Sequence, residues 1–319
     1  MKTGAFVIPT GVGATIGGFA GDASFWAQKF AQHFNLIVNP NVVNAACFSG
    51  ITQNMLYVEG YSLDEFFKGN LNLIQQKNNK IGVVFDSAIP QGVLNVHINT
   101  INAVKTIYNL DIFDYELTEL PVGVNFFVNP SGVSMGNIQN AKTLFDATQN
   151  LIKKGVDAIA VVCHFPDSQD ENYTNGIGVD PVGGVEAIIS HYISKEFQIP
   201  CAHAPAFSDI SICTEIVSPK CAAEYITPTF LPCILLGLAN APKFSTNIGM
   251  NISELDFLIY PYDCLGGIPV MEMLKRDKKV YAIKENSTVL DIIPQKISDK
   301  ISVFETYHEL YDFLTKAVK

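Results

Sequence analysis

The segment between Cys163 and Pro205 carries most of the side chains in this sequence that could perform chemistry. Three of the six histidines and two of the seven cysteines fall within it. These residue types can act as proton carrier, nucleophile or metal ligand near neutral pH. Their concentration predicts an enzyme without naming the reaction.

Two histidines of this segment are the predicted proton carriers. His164 lies in the run Cys163-His164-Phe165-Pro166-Asp167, directly after a strand-like run, and His203 lies in Cys201-Ala202-His203-Ala204-Pro205. An imidazole at the end of a strand is well placed for proton transfer to a ligand. Carboxylates near other predicted strand or helix ends could orient it; the candidates are Asp86, Asp180 and Glu285.

Cys163, Cys201 and Cys264 are the candidate nucleophiles. A thiol becomes reactive where its pKa is lowered, for example beside an imidazolium. Adjacent residues of a strand point to opposite faces, so His164 is not the expected partner of Cys163. Burial as packing thiols is the alternative interpretation of Cys163 and Cys264.

A zinc site is an alternative use of the same residues. Cys201 and His203 are two positions apart, which puts both side chains on one face of an extended segment. Together with His164 they could bind zinc and leave the fourth position to water. No Cys-x-x-Cys, His-x-x-x-His or His-Glu-x-x-His spacing accompanies them, so zinc is the secondary prediction.

Asp180-Pro181 is typical of the start of a helix, with an acidic N-cap and a proline in the first turn. Gly183 and Gly184 would weaken that turn, which indicates a close approach of backbone or ligand. His191 lies at the margin of the apolar stripe of the predicted helix. We therefore expect it to be a histidine packed at an interface between elements. The stripe consists of Val182, Val185, Ile189, Tyr192 and Ile193.

Two glycine-rich loops could bind a phosphate or carboxylate through backbone N–H groups. The first lacks the Gly-Lys-Ser/Thr of a Walker loop. It also departs from the dinucleotide fingerprint, because position 16 is Ile and the next strand ends in Asn-Pro, so NAD is not expected. Tight-turn packing is the alternative. The candidate ligand-binding residues are Thr10, Gly11, Gly13, Gly17 and Gly18 in the first loop and Gly266 and Gly267 in the second.

Strand-length apolar runs alternate with helical patterns along the chain. The predicted strands are Ala5–Ile8, Leu36–Val38, Ile81–Phe85, Tyr115–Leu120, Asn125–Val128, Ala158–Val162, Phe257–Tyr260 and Val280–Ile283. The predicted helices are Ala23–Phe34, Leu94–Tyr108, Ala141–Lys153, Pro181–Phe197, Pro269–Arg276 and Thr306–Ala317. This alternation predicts an α/β fold with mainly parallel sheets flanked by helices.

We expect a single α/β unit, with two Rossmann-like lobes and a cleft as its best interpretation. The lobes would divide the chain into residues 1–155 and 156–319. Tyr115–Leu120 and Asn125–Val128 could form an antiparallel hairpin turning at residues 121–123. In parallel sheets, ligands bind beyond the carboxyl ends of strands. This rule adds Asn41, Asp86 and Asn286 to the candidate ligand-binding residues, and the close approach inferred at Gly183 and Gly184 adds those two.

Composition excludes several classes of protein. The 319 residues are 48% hydrophobic and 16% charged, with a net charge of −10 and no basic run, so no nucleic-acid partner is expected. The longest apolar run, 230–239, is too short to cross a membrane, and no signal peptide is recognisable. An odd number of cysteines without framework spacing favours a reducing, cytoplasmic location. A homo-oligomer is compatible with the sequence.

Sequence phrases from almost the whole chain resemble one uncharacterised family, domain of unknown function 3326, best known from cyanobacteria and plant plastids. They include I8-P-T-G-V-G-A-T-I-G-G-F-A-G-D22, N39-P-N-V-V-N44, G178-V-D-P-V-G-G-V-E-A-I-I-S-H191 and T229-F-L-P-C233. The resemblance implies no activity and no catalytic residue. Residues 257–286 also locally resemble the nucleotide-binding half of two-lobed glycosyltransferases.

Three hypotheses follow for the function. The first is a metabolic enzyme acting on a small anionic substrate, with the glycine loops holding the anion and histidine or cysteine performing the chemistry. The second is a zinc-dependent hydrolase or lyase. The third is a small-molecule-binding or sensor protein without catalysis. The sequence does not identify a cofactor.

Overall fold

Ten strands form two parallel β-sheets flanked by helices, which confirms the predicted α/β class. The computed structural model describes residues 1–19, 22–166 and 171–316. The strands are β1 Thr3–Phe6, β2 Asn35–Val38, β3 Asn44–Ala45, β4 Phe48–Ser49, β5 Met55–Tyr57, β6 Asn72–Ile74, β7 Ile81–Phe85, β8 Ile112–Leu117, β9 Val124–Val128, β10 Ser134–Ile138, β11 Ala158–His164, β12 Cys201–Ala206, β13 Lys243–Ser245, β14 Phe257–Pro261, β15 Lys279–Ile283 and β16 Ser302–Phe304.

The helices alternate with these strands, as the sequence predicts. They are α1 Ser24–Ala31, α2 Pro40–Val43, α3 Gly60–Lys68, α4 Gln91–Tyr108, α5 Ala141–Lys153, α6 Glu171–Thr174, α7 Gly183–Phe197, α8 Ala222–Tyr225, α9 Leu231–Ala239, α10 Ile268–Lys275 and α11 Tyr307–Lys316. Two short 3₁₀ turns cover Ile252–Glu254 and Pro294–Lys296. Ala317, the predicted end of the last helix, lies outside the described residues.

The two parallel sheets draw their strands from different parts of the chain. The six-stranded sheet has the order β16-β15-β14-β1-β2-β5, and the four-stranded sheet has the order β12-β11-β7-β8. Residue 155, the predicted lobe boundary, lies between β8 and β11 of the same sheet. The sheets therefore do not divide the chain there, and the first sheet unites its two ends.

One hydrophobic cluster contains side chains from both sheets, including Phe6, Val38, Phe85 and Ala204. Helix α9 contributes to it from the apolar run noted in the sequence, and Leu231, Leu235 and Leu238 are fully buried. An all-apolar helix of this length is what a core position requires. None of the helices among the described residues has the length and apolarity needed to cross a bilayer.

The predicted hairpin of strands near residues 115–128 is wrong. Strand β8 pairs in parallel with β7, and β9 pairs antiparallel with β10 instead. The reason lies in the intended turn: the backbone N–H of Val122 donates to the Asp86 carboxylate at 3.1 Å. That bond ties the segment to the end of β7, so the chain continues away from β8.

The first turn of α7 packs directly against β10. The Ser134 hydroxyl accepts from the Gly184 N–H at 3.1 Å and donates to the Pro181 carbonyl at 2.7 Å. A Cβ on Gly184 would collide with the Ser134 carbonyl oxygen. The glycine is therefore required by a close backbone approach, one of the two explanations that the sequence left open.

We predict that Gly184→Ala destabilises the protein by about 1–3 kcal/mol, the usual cost of overpacking. Gly92→Ala is the matched control, because Gly92 also lies in the first turn of a helix but has open space around its Cβ position. That control should be neutral or stabilising by up to about 1 kcal/mol. Urea unfolding of both variants measures the difference, and equal stabilities would contradict the packing argument.

Candidate functional site

A small cavity collects polar side chains from segments that are distant in sequence. Its volume is about 110 Å³. The lining comes from the loop after β1, from α2, from β3 and the residue after it, from β12, from α8, and from α7 and α9 with the segments just before them. The lining residues are Gly17, Gly18, Pro40, Asn41, Asn44, Ala46, Asp180, Glu186, His203, Pro205, Glu224, Phe230, Cys233 and Ile234.

His203 is fixed by a hydrogen bond to α7. Its Nδ1 lies 2.9 Å from the Ser190 hydroxyl oxygen, which itself lies 3.1 Å from the Ala187 carbonyl. The Ala187 carbonyl can only accept, so the Ser190 hydroxyl donates its proton to that carbonyl. The Nδ1 of His203 is therefore the donor to the Ser190 oxygen. Burial, together with a smaller effect of nearby His191, lowers the pKa of His203 to about 3. The ring is neutral, and Nε2 is its hydrogen-bond acceptor.

Glu186 is the most unusual group in the lining. The residue is only 7% exposed, and its Oε1 is buried without a hydrogen-bond partner among the described residues. Burial raises its pKa well above the usual range, and the carboxyl groups of Asp180, Glu224 and Glu59 raise it further. Burial therefore favours the protonated form of Glu186, which can donate a proton, over the carboxylate.

Asp180 and Glu224 complete the acidic side of the cavity. The Asp180 carboxylate accepts from the Val182 N–H at 3.0 Å in the turn that precedes α7, whose N-cap is Val182 rather than the predicted Asp180. Burial raises the pKa of Asp180, and this backbone hydrogen bond opposes the rise. Glu224 accepts from the Tyr173 hydroxyl at 3.0 Å. Three carboxyl groups thus border a space that is too small to separate them widely with water.

A buried chain of hydrogen bonds leads from the cavity to a fourth acid. Asn44 Nδ2 donates to the Tyr57 hydroxyl at 3.0 Å, and that hydroxyl donates to Glu59 Oε1 at 2.8 Å. Burial raises the pKa of Glu59 to about 8, although the Tyr57 hydrogen bond lowers it. The Asn44 Oδ1, turned away from Tyr57, has no partner among the described residues.

The first glycine loop is held mainly by the protein's own groups. The Ile16 N–H donates to Asn286 Oδ1 at 2.9 Å, and Asn286 Nδ2 donates back to the Ile16 carbonyl at 2.9 Å. The Gly17 N–H donates to the Asp22 carboxylate, so Asp22 serves this loop rather than the cap of α1. Gly17 and Gly18 still reach the cavity wall.

The other residues of this loop serve packing contacts in the structure. A Cβ on Gly13 would collide with the Gly178 carbonyl, and one on Gly11 would lie 3.2 Å from the Ser134 carbonyl oxygen. The Thr10 methyl group lies beside Gly183. These four residues, Thr10, Gly11, Gly13 and Gly183, together with Gly184, are absent from the cavity lining. Anion binding by the loop stays a prediction.

Asp86 holds three loops together at the carboxyl ends of β7 and β11. It is buried, and its carboxylate accepts from the backbone N–H groups of Ala88, Val122 and His164 at 3.0–3.2 Å. Asn41 Nδ2 donates to the Pro9 carbonyl at 3.0 Å and also lines the cavity. Of these two predicted ligand-binding residues, only Asn41 reaches the cavity.

The residues proposed for a zinc site are not brought together. In the register of β11 and β12, Val161 pairs with His203 and His164 pairs with Ala206, so the two histidines project from opposite faces of the sheet. His164 Nε2 instead lies 2.9 Å from the Ser208 hydroxyl. Among the described residues, no three His, Cys, Asp or Glu side chains form a metal-binding group. Asp167 lies outside those residues.

The three candidate nucleophiles are buried away from the cavity lining. Cys163 and Cys201 lie in the hydrophobic cluster beside α7, and Cys264 lies in the cluster beside α10. Burial raises the pKa of all three thiols. At neutral pH they are thiols rather than thiolates, which is the unreactive form.

The second glycine loop and its neighbours lie elsewhere. Gly267 packs against the Tyr260 hydroxyl, and Gly266 lies near Ile292. Glu285 accepts from the Tyr307 N–H at the start of α11. These contacts explain the three residues by local packing and helix capping. None of them lines the cavity.

A family model described as "protein of unknown function (DUF3326)" matches residues 3–318. The chain belongs to this family. An uncharacterized lipoprotein of Synechococcus sp. is similar to it, with 36% identity over 322 residues that cover 98% of this chain and 89% of the relative. No solved structure matches the chain. The resemblance found in the sequence phrases is confirmed.

Within this DUF3326 chain, sequence reasoning missed Glu186, Glu224 and Asn44 as cavity residues. The signal for Glu186 lay in α7. Glu186, Ser190 and Ser194 recur every four residues and are all buried, so they form a polar stripe beside the apolar one. Tyr192, assigned to the apolar stripe, is exposed. Glu224 and Asn44 belong to short segments without a periodic pattern.

We predict that Glu59→Gln makes stability less dependent on pH. The unfolded chain releases the Glu59 proton near pH 4.5, whereas the folded protein keeps it to about pH 8. The stabilisation is therefore full below pH 4.5 and is lost as pH rises towards 8, at about 1.4 kcal/mol per pH unit. Glutamine still accepts from Tyr57 but does not titrate.

The measurement is the free energy of unfolding in urea between pH 6.5 and 8. This window lies above the range in which His203, with its lowered pKa, would oppose the trend by making stability rise with pH. Glu59→Gln should flatten the slope by about 1.4 kcal/mol per pH unit. Glu196→Gln, at an exposed position of α7, should keep the wild-type slope. Equal slopes in all three proteins would refute the assignment to Glu59.

Proposed function

We propose that this protein is an enzyme that catalyses proton transfer on a small molecule bound in the cavity. The observation that supports it best is Glu186, a buried carboxylic acid whose Oε1 lacks a partner and which lines a cavity together with His203. Perturbed titratable groups that converge on a cavity are typical of active sites. Glu186 is the proton donor, and its carboxylate accepts the proton back.

His203 has a different role from the one predicted. Because its pKa is lowered to about 3, the ring does not donate a proton from an imidazolium near neutral pH. Its Nε2 instead accepts a hydrogen bond from the substrate and orients it towards Glu186. Ser190 keeps the ring in this tautomer through Nδ1.

Nucleophilic catalysis by cysteine is not part of this proposal. Cys233 is the cysteine of the cavity lining, and burial raises its pKa. A neutral thiol is a poor nucleophile. A substrate anion is also disfavoured, because the described residues of the lining include three carboxyl groups and neither Lys nor Arg. We therefore replace the predicted anionic substrate with a small uncharged or cationic one.

We also propose a cytoplasmic location. All seven cysteines carry free thiols, which favours a reducing compartment. The lipoprotein name belongs to the Synechococcus relative. Fractionation of cells that produce this chain, followed by immunoblotting, tests the location; recovery in the membrane fraction would contradict it.

We predict that His203→Asn and Glu186→Gln each slow turnover by at least about 100-fold, the usual range for a lost acid–base group. Asparagine keeps an N–H near the Nδ1 position but lacks Nε2, and glutamine keeps the shape of Glu186 without its proton. The assay incubates each protein with a cellular small-molecule extract and follows every compound by mass spectrometry. A compound consumed by wild type should persist with both variants.

Glu196→Gln on the exposed side of α7 is the activity control and should behave as wild type. Thermal unfolding verifies that each variant is folded. If wild type changes no compound in the extract, the protein is a binding or sensor protein rather than an enzyme. If folded His203→Asn and Glu186→Gln both keep full turnover, the active site lies elsewhere.

A further inference from the structure

Two oxygen atoms in the cavity lack hydrogen-bond partners in the described part of the chain: Asn44 Oδ1 can only accept, and Glu186 Oε1 accepts once a bound cation has displaced the carboxyl proton. Glu186 Oε1 and Asn44 Oδ1 are both buried and unpaired there. The orientation of Asn44 is set by Tyr57, whose proton goes to Glu59 and whose oxygen can therefore only accept from Asn44 Nδ2. Buried acceptors are normally paired, so these two atoms indicate a ligand with donor groups.

His203 adds a third acceptor of the same kind. Its Nδ1 is engaged with Ser190, which leaves Nε2 as an acceptor in the same lining. Three acceptors around one small space match a group with three donors. A primary ammonium group has three N–H donors and no acceptor, whereas a hydroxyl has one donor.

The charge of the surroundings favours the same group. Asp180, Glu186 and Glu224 line the cavity without Lys or Arg beside them, and Glu59 lies close enough to interact with Glu186. An anion would be repelled once these groups ionise, while a cation would be attracted to them. The volume of about 110 Å³ is well below that of pockets for drug-sized ligands, so the part of the ligand that lies inside the cavity has few atoms.

We propose that the cavity binds the primary ammonium group of a small amine, held by Glu186, Asn44 and His203. This inference rests on the proposed function, because it names the substrate class of the same cavity. The amine would carry its positive charge into a cluster that is otherwise kept protonated by burial. Binding should therefore release protons from the carboxyl groups.

The groups that face Glu186 come from each element packed against it. They are Asp180 before α7, Glu224 in α8, Glu59 before α3, Cys233 in α9 and His203 in β12. Burial raises the pKa of Asp180, Glu59 and Glu186, and these three carboxyl groups are the source of the released protons. The thiol and the neutral imidazole contribute no negative charge near pH 7.

The test compares three probes of nearly equal size by isothermal titration calorimetry at pH 7: ethanolammonium, ethylene glycol and glycolate. We expect ethanolammonium to bind at least about 10-fold more tightly than the other two. Its binding heat should vary with the ionisation enthalpy of the buffer, which reports proton release. Glu186→Gln should weaken ethanolammonium binding by at least about 10-fold and change ethylene glycol binding by less than about 2-fold.

Each outcome decides between the two proposals. Preferential binding of ethylene glycol or glycolate, lost in His203→Asn, would overturn the amine assignment and leave the cavity as the binding site. Ethanolammonium binding that Glu186→Gln does not weaken would place the amine elsewhere and overturn the assignment as well. Binding of none of the three probes would overturn both proposals. Glu196→Gln should match wild type throughout.

Discussion

The structure depends on how the loop between β1 and α1 obtains its backbone hydrogen bonds. Residues 7–19 of this loop form no strand, yet several of them are buried. Two buried asparagines solve the problem in the same way. Asn39 pairs with both the N–H and the carbonyl of Ile8, and Asn286 pairs with both groups of Ile16. Each side-chain amide takes the place of a neighbouring strand.

These amide pairs explain how one loop reaches so many elements. Asn39 follows β2 and Asn286 follows β15, so the loop is tied to both sides of β1 in the six-stranded sheet. From there the loop contacts Ser134 of β10 and the Gly178 carbonyl before α7. The cavity lies at the end of this path, where Gly17 and Gly18 meet residues that surround the four-stranded sheet. The glycines of this loop are therefore needed for its close contacts, whether or not the loop binds a ligand.

The sequence predicted the elements better than the site. Apolar runs such as Ile81–Phe85 and Ala158–Val162 are buried on both faces, and this burial leaves a clear pattern in the sequence.

Of the predicted site residues, five meet at the cavity: His203, Asp180, Asn41, Gly17 and Gly18. His164 and His203 looked equivalent because both follow apolar runs, but strand register separates them. The residues around each histidine do not indicate how its strand is aligned with a distant strand. The same holds for Asn44 and Glu224, which reach the cavity from short, irregular segments.

The energetics of the cavity argue that it has a role beyond folding. Each unpaired buried acceptor costs about 1–3 kcal/mol, and an apolar replacement of similar shape would remove that cost. Burial also raises the pKa of both Glu186 and Glu59, which weakens folding as pH increases. In contrast, the carboxylate of Asp86 is fully paired with backbone N–H groups and stabilises its loops. Asp86 and Glu186 are both buried acids of the same chain, but only Asp86 is fully paired. Full pairing is expected of a structural carboxylate, and an unpaired oxygen is expected of a carboxyl group that binds a ligand.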